Sequence, residues 1–432
     1  MRIAFSALIA LHALIHVMGF AKAFGRASLT QLKIPISRPM GVLWLAAAVL
    51  ILSAALLLFT APRWFWLVGL AGLVASQTAI IASWGDARFG TIANVVLLVA
   101  VVYGALAWGP FGLRAEYQRL VRDGTKRMAS SARPHNIMEA DLTGLPPLVQ
   151  RYLRFAGVVG TPKVQGFRAR MTGRIRGSAT APWMPFVAEQ VNFYDPPRRY
   201  FFMEATRGGL PLDGLHAYSV ADASMRIRLL SIVPVVDVGG PEMMRTETVT
   251  ILNDMSIFAL GRLLDPAIRW RELDARSVEA TYTNGPHTVC AVLVFDDSGA
   301  LVDFWSDDRP ALAEDGKAML PQRWSTPIRD YRAMGPYKLA TRGEGRYAAP
   351  DGEYAYLELE VHEVSTQLVP RGAPRRTRTR RSPSAAGASR ALARAGRARR
   401  APRRRRRTSR ATPRCGAPSA CRSRPTRPRP AG

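Results

Sequence analysis

The chain has 432 residues and a formal net charge of +28, from 60 Lys and Arg against 32 Asp and Glu. Its last 62 residues hold 22 of the arginines and no Asp, Glu or Lys, so residues 1–370 carry a net charge of only +6. The body therefore has no nucleic-acid signature, and with Cys290 as its only cysteine it has neither a disulfide scaffold nor a cysteine-based metal site.

Residues 1–112 form an apolar block. Ile3–Phe20 is interrupted only by Ser6, His12 and His16, while Gly41–Ala61, Trp64–Trp84 and Thr91–Trp108 carry no charge. Each runs about 18–21 residues, enough for a helix to cross a hydrocarbon core roughly 30 Å thick. Trp64, Trp66, Trp84 and Trp108 fall at span ends, where amphipathic rings prefer to sit. The first span reads as an uncleaved anchor, because its n-region is only Met1-Arg2 and no small-residue cleavage pattern follows Phe20. The expected location is a bacterial inner membrane. Arg2, Arg63, Arg114, Arg119, Arg122, Lys126 and Arg127 fall on one side, against Lys22, Arg26, Lys33, Arg38 and Arg88 on the other. That asymmetry leans toward a cytoplasmic N-terminus and C-terminal domain.

Polar groups inside such spans are the places to look for function. His12 and His16 share one helix face, a spacing that suits metal binding, proton relay, or hydrogen bonding to Gln77, Thr78 or Asn94 on neighbouring spans. No further ligand stands at metal-site spacing, so no metal is expected. Gly72 and Ser76 read as close-packing positions.

Residues 113–144 read as a basic connector, with Arg114–Arg127 a helix leaving the bilayer and Ser130–Pro134 breaking it. Leu145–Ala156 is a short helix with Pro146 in its first turn. From Val164 the apolar period becomes two. Phe167, Ala169, Met171 and Ile175 alternate with Arg168, Arg170, Arg174 and Arg176, the pattern of a half-buried strand with a basic outer face. Strands follow at Phe186–Tyr194, Arg199–Ala205, Leu215–Val220 and Met225–Ile232. Pro241–Leu264 has helical character. Strands resume at Val278–Thr283, Thr288–Phe295, Ala300–Trp305, Gln322–Tyr331, Lys338–Tyr347 and Tyr354–Val364. The expected class is α+β: four transmembrane helices, then a curved antiparallel sheet over residues 145–364 with a helical insertion, then a disordered tail over 365–432.

Within the sheet, Glu189 shares a face with Val187, Val191 and Phe193. If that face is internal, the carboxylate sits in an apolar cavity and can serve as an acid, a base or a ligand contact. If Ala188 and Tyr194 face inward instead, Gln190 and Asn192 line the interior and Glu189 is a solvated charge. Glu242 and Glu247 read as first-turn acids of the inserted helix. Asp330 and Arg332 are expected to pair with the basic face of the first strand. His216, His287 and His362 are isolated. The chain contains no nucleophile elbow, P-loop, dinucleotide fingerprint or His-Glu-x-x-His, so a common enzyme type is not expected, and no cofactor is implied.

The tail has Leu392 as its only large aliphatic residue and cannot bury enough surface to offset chain entropy. Its Arg, Pro, Ala, Gly, Ser and Thr match GC-rich DNA translated out of frame, and it reads as a frameshift product. Taken as genuine, its Arg403–Arg407 run would contact nucleic-acid backbone or anionic headgroups.

The order of features resembles a group of bacterial multi-pass membrane proteins that end in a domain of unknown function. The resemblance spans about residues 1–364. It rests on His12-Ala13-Leu14-Ile15-His16-Val17-Met18-Gly19-Phe20, Trp84-Gly85-Asp86-Ala87-Arg88-Phe89-Gly90-Thr91-Ile92-Ala93-Asn94, Trp183-Met184-Pro185-Phe186, Gly240-Pro241-Glu242-Met243 and Trp324-Ser325-Thr326-Pro327-Ile328-Arg329-Asp330-Tyr331-Arg332. It implies no reaction, and the tail has no counterpart in it. The domain is also similar in architecture to the lipoprotein-carrier fold of the LolA and LolB type, a similarity that implies acyl chains held on the concave side. The functional expectation is a membrane-anchored domain binding a lipid or other apolar ligand, with Phe186, Phe201, Met203 and Trp324, together with Glu189, as cavity candidates. The alternatives are a membrane enzyme pairing Glu189 with Asp330 or His216, and a structural or interaction protein with a solid interior. Oligomeric state is left open.

Overall fold

The computed structural model describes residues 2–129, 134–313 and 318–368. The arginine-rich tail, and with it the expectation of an out-of-frame ending, lies outside the described residues.

Four helices are long and apolar enough to cross a membrane. They are α1 (Arg2–Ala23), α2 (Arg38–Thr60), α3 (Pro62–Ala82) and, after the short α4 (Trp84–Ala87), α5 (Gly90–Ala107). Their ends follow local chemistry. The Ser37 hydroxyl accepts from Met40 N at 3.4 Å to cap α2, and prolines in the first turns of α2 and α3 give up only amides that would be unpaired. Small residues let the helices approach closely: a Cβ on Gly19 would stand 2.1 Å from the Trp44 ring, and Ala47 and Ala54 are fully buried. Val49, Leu56, Val95 and Val99 point outward, where apolar side chains meet hydrocarbon at no cost.

A tight turn leads into α6 (Leu113–Ala129). This helix does more than connect. Leu113, Tyr117 and Val121 form a stripe packed on the outer face of the sheet against Val191, Phe193, Tyr200 and Phe202, while Arg119, Arg122 and Lys126 face solvent. After α7 (Pro147–Phe155) come strands β1 (Gly166–Ile175), β2 (Met184–Tyr194), β3 (Pro197–Arg207), β4 (Leu210–Tyr218), β5 (Ala223–Leu229) and β6 (Val233–Gly239). Helix α8 (Pro241–Ile257) intervenes. The rest are β7 (Ile268–Glu272), β8 (Ser277–Asn284), β9 (His287–Phe295), β10 (Leu301–Ser306), β11 (Ala311–Leu312), β12 (Met319–Leu320), β13 (Arg323–Ser325), β14 (Ile328–Met334), β15 (Tyr337–Ala349) and β16 (Gly352–Ser365).

The main sheet is antiparallel and runs β6-β5-β4-β3-β2-β1-β16-β15-β13-β10-β9-β8-β7, with β14 also on β15. It is curved without closing. Helix α8 crosses its concave side, touching β5, β6 and β9, and is buried almost throughout. The expected alternation holds in β1 and β16, whose Phe167, Ala169, Met171, Leu357, Leu359 and Val361 all join the core.

Several details differ from expectation. The single strand expected at Gln322–Tyr331 is two, β13 and β14, interrupted at Thr326-Pro327, and the two-residue strands β11 and β12 were not expected. Strands β6 and β7 were not anticipated: they are the sheet edges, β6 has no buried residue, and without a buried face there is little apolar period to read. The outer arginines of β1 do not meet Asp330 or Arg332. They pair with acids on the strands beside them, Arg174 with Glu358 at 2.7 Å and Arg170 with Glu189 at 3.2 Å and Glu363 at 3.1 Å, because β1 lies between β2 and β16. Asp330 pairs with Arg342 at 3.5 Å.

Candidate functional site

Between α8 and the concave sheet lies a cavity of about 200 Å³. Its apolar wall includes Met171, Ile175, Phe201, Met203, Ile227 and Leu359, and Trp324 lines it near Arg309. Strand register explains the grouping. Ala188 stands opposite Met203, Gln190 opposite Phe201, and Phe201 opposite His216, so alternate residues of β2, β3 and β4 share this face. Of the residues expected to form a cavity, Phe201, Met203 and Trp324 meet in it. Phe186 is buried on the same face but outside the wall.

One end of the cavity is polar, because α8 carries Glu247, Thr250 and Asp254 on a single face. Arg199 lies between the two acids, with Nη1 3.2 Å from Glu247 Oε2 and Nε 3.0 Å from Asp254 Oδ2. Asp254 Oδ2 also accepts from Gln190 Nε2 and Asn192 Nδ2, each at 2.8 Å. Burial pushes the Asp254 carboxyl up, with Arg199 and the two amides opposing it. At Glu247 burial pushes the same way, but His216, Arg199 and Arg309 with the Thr250 hydroxyl outweigh it and hold the carboxyl below its usual range. Burial pulls His216 down to about 4, so at neutral pH its imidazole is uncharged. His216 Nε2 lies 3.4 Å from Glu247 Oε1 without hydrogen-bond geometry.

Arg309 completes this end. Its Nε donates to Thr250 Oγ1 at 3.1 Å and its Nη1 to the Tyr347 hydroxyl at 2.5 Å, and its guanidinium lies 4.2 Å from the Trp324 ring centre. The loop that carries it is pinned at Asp308, which takes Arg245 Nη2 and Cys290 N, both at 2.7 Å.

Residues 135–359, just over half of the chain, match the DUF6544 family, a family of unknown function. The chain belongs to DUF6544. No curated protein matches it. Among solved structures it is similar to a LolA superfamily protein from Nitrosomonas europaea, at 10% identity over 52% of this chain and 93% of that one, with a TM-score of 0.27. It is also similar to a DUF1329 family protein from Desulfovibrio piger, at 10% identity over 57% of this chain and 91% of that one, with a TM-score of 0.28. Likeness at that level supplies no argument about what the DUF6544 domain binds.

Glu189 lies on the opposite face of the DUF6544 sheet from the cavity, under α6. It accepts from the Tyr117 hydroxyl at 3.0 Å and pairs with Arg170 at 3.2 Å and Arg168 at 3.7 Å. Gln190 and Asn192 face the interior, as they must once Ala188 and Tyr194 do. Glu189 and His216 are therefore separated by the sheet, and the acid–base pairing that an enzyme would need between them is not formed. In the membrane region, His12 Nε2 lies 3.0 Å from Asn94 Oδ1, and His16 Nε2 lies 2.7 Å from Ser76 Oγ. Asn94 Nδ2 donates to Gln77 Oε1 at 2.9 Å, so one buried network joins α1, α3 and α5.

Sequence reasoning took Glu247 for a first-turn acid, whereas α8 starts at Pro241 and places it past the first turn, fully buried, and it missed Arg199, Asp254 and Arg309. A signal existed for Glu247, Asp254 and Arg199: residues 247, 250 and 254 recur at helical spacing in α8, and Arg199 begins an apolar strand. Arg309, in a loop between Asp308 and Pro310, gave none.

Proposed function

We propose that the DUF6544 domain binds the chain of a lipid-like amphiphile in the cavity beneath α8, and that the four helices hold the domain at a bacterial inner membrane, on its cytoplasmic face. The observation that carries this reading is the cavity itself, an apolar hollow with a polar end inside an otherwise packed core. Such an interior ordinarily holds few voids larger than a water molecule. A volume of about 200 Å³ exceeds the ~150 Å³ hole that admits benzene and falls short of the roughly 300–1,000 Å³ of drug-sized sites. It suits one chain, or part of one, rather than a two-chain lipid. Met171, Met203 and Met225 on the wall add adaptability, since unbranched thioether side chains reshape at little cost.

Gly214 tests the reading. It lines the cavity, and a Cβ there would meet nothing nearer than Met203 Cε at 3.4 Å, with Met203 Cβ and an Ile227 side-chain carbon at 3.8 Å, so a larger side chain grows into the hollow. Full-length protein in nanodiscs should retain an amphiphile through delipidation, detected by native mass spectrometry, and Gly214→Phe should lose it. The same retention in both, or none in either, would contradict the proposal.

A further inference from the structure

Arg309 differs from the other buried cation at this end of the cavity. Arg199 has two carboxylates within 3.2 Å, whereas among the described residues Arg309 hydrogen-bonds only to neutral groups, the Thr250 and Tyr347 hydroxyls, and packs on the face of Trp324, with Glu247 acting on it at longer range. Its Nη2 has no protein partner among the described residues, and the residue lines the cavity. A guanidinium donor on a residue that lines the cavity can meet an acceptor carried by a ligand there. The pinned loop and the aromatic stack also prevent it from swinging out to water.

The charge balance narrows what such a donor takes. Arg199 and Arg309 are matched by Glu247 and Asp254, with His216 uncharged at neutral pH. An anionic head would add a negative charge to a neutral, water-poor cluster that already contains two carboxylates. An uncharged acceptor adds none. We propose that Arg309 anchors the carbonyl oxygen of an acyl ester, with the acyl chain running along the apolar wall past Phe201 and Met203. This rests on the cavity reading and adds the chemistry of the head.

The test uses full-length protein in nanodiscs of diether phosphatidylcholine, which has no ester carbonyl to compete. Three probes carry one diazirine-bearing chain: a fatty-acid methyl ester, the free acid and the plain alkane. Photo-adducts on cavity residues such as Phe201, Met203 and Ile257 are quantified by peptide mass spectrometry. The ester should half-saturate this labelling at roughly tenfold lower concentration than the alkane, about the worth of one hydrogen bond from a charged donor. The acid should do no better than the ester at pH 7.5. Arg309→Met should erase the ester's advantage while leaving alkane labelling, and Arg309→Lys should keep part of it. Equal labelling by ester and alkane in the unaltered protein, which needs no variant to fold, would overturn the proposal, as would a clear preference for the acid or an ester advantage that survives in Arg309→Met. Cavity labelling by none of the three probes would remove the cavity reading and this inference with it.

Discussion

Arg199 holds the inner polar cluster together. It separates Glu247 and Asp254, and its side chain is 9% exposed, so its charge is fully committed. Removing one member of a buried ion network strands the others in a medium that cannot solvate them, at a cost of about 3–5 kcal/mol. Arg199→Met should lower stability by that order, read from chemical unfolding followed by tryptophan fluorescence. His216 adds a pH dependence with a definite sign. Its folded pKa of about 4 lies below the ordinary 6.5, so the folded state prefers the neutral ring. The stability this gives is complete above pH 6.5 and is lost as pH falls from 6.5 toward 4, up to about 3 kcal/mol. Asp254 and Asp303, both pushed up by burial and the latter to about 6, run the other way. The comparison that isolates the histidine is therefore His216→Gln against the unaltered protein at pH 7.5 and 4.5. The variant should lose less stability on acidification; an equal loss would show that His216 is not the titrating group.

At the scale of elements, the junction of α5 with α6 decides how the membrane bundle meets the domain. A Cβ on Gly112 would stand 1.6 Å from the Leu106 carbonyl oxygen, and one on Gly124 would stand 2.3 Å from the Phe193 ring. Neither can be accommodated without moving backbone or a buried aromatic. Gly112→Ala should detach α6 from the sheet, seen as faster hydrogen exchange over residues 113–129 with the inner core unchanged; unaltered exchange there would show that the turn tolerates the extra atom. Helix α6 also illustrates what a sequence hides. Its arginines dominate the composition, while Leu113, Tyr117 and Val121 form a stripe of only three, so it reads as a solvated connector. Alternation in β2 showed which residues share a face, but not which face lies inward. That was fixed by α8 on one side and α6 on the other, contacts made far along the chain. The strands with a buried face were legible; the edges β6 and β7, with little to bury, were not. The cavity wall was partly legible through Phe201, Met203 and Trp324. Its polar end depends on a loop arginine and a helix arriving from opposite directions.

For the molecule as a whole, the order of parts was plain from composition: an apolar block, then a domain with strand periodicity, then an arginine-rich tail. Orientation has only the loop charges behind it, seven basic residues against five. Fusions to the loop at 24–37 and to the domain should give a periplasm-active reporter signal only in the first and a cytoplasm-active signal only in the second; the reverse would put the cavity outside the cytoplasm. Whether this membrane-tethered sheet holds an amphiphile can be seen by electron cryomicroscopy of the full chain in native-lipid nanodiscs. Elongated density is expected between α8 and strands β3 to β5, with one end within hydrogen-bond reach of Arg309. A cavity that is empty, or closed by its own side chains, would contradict it.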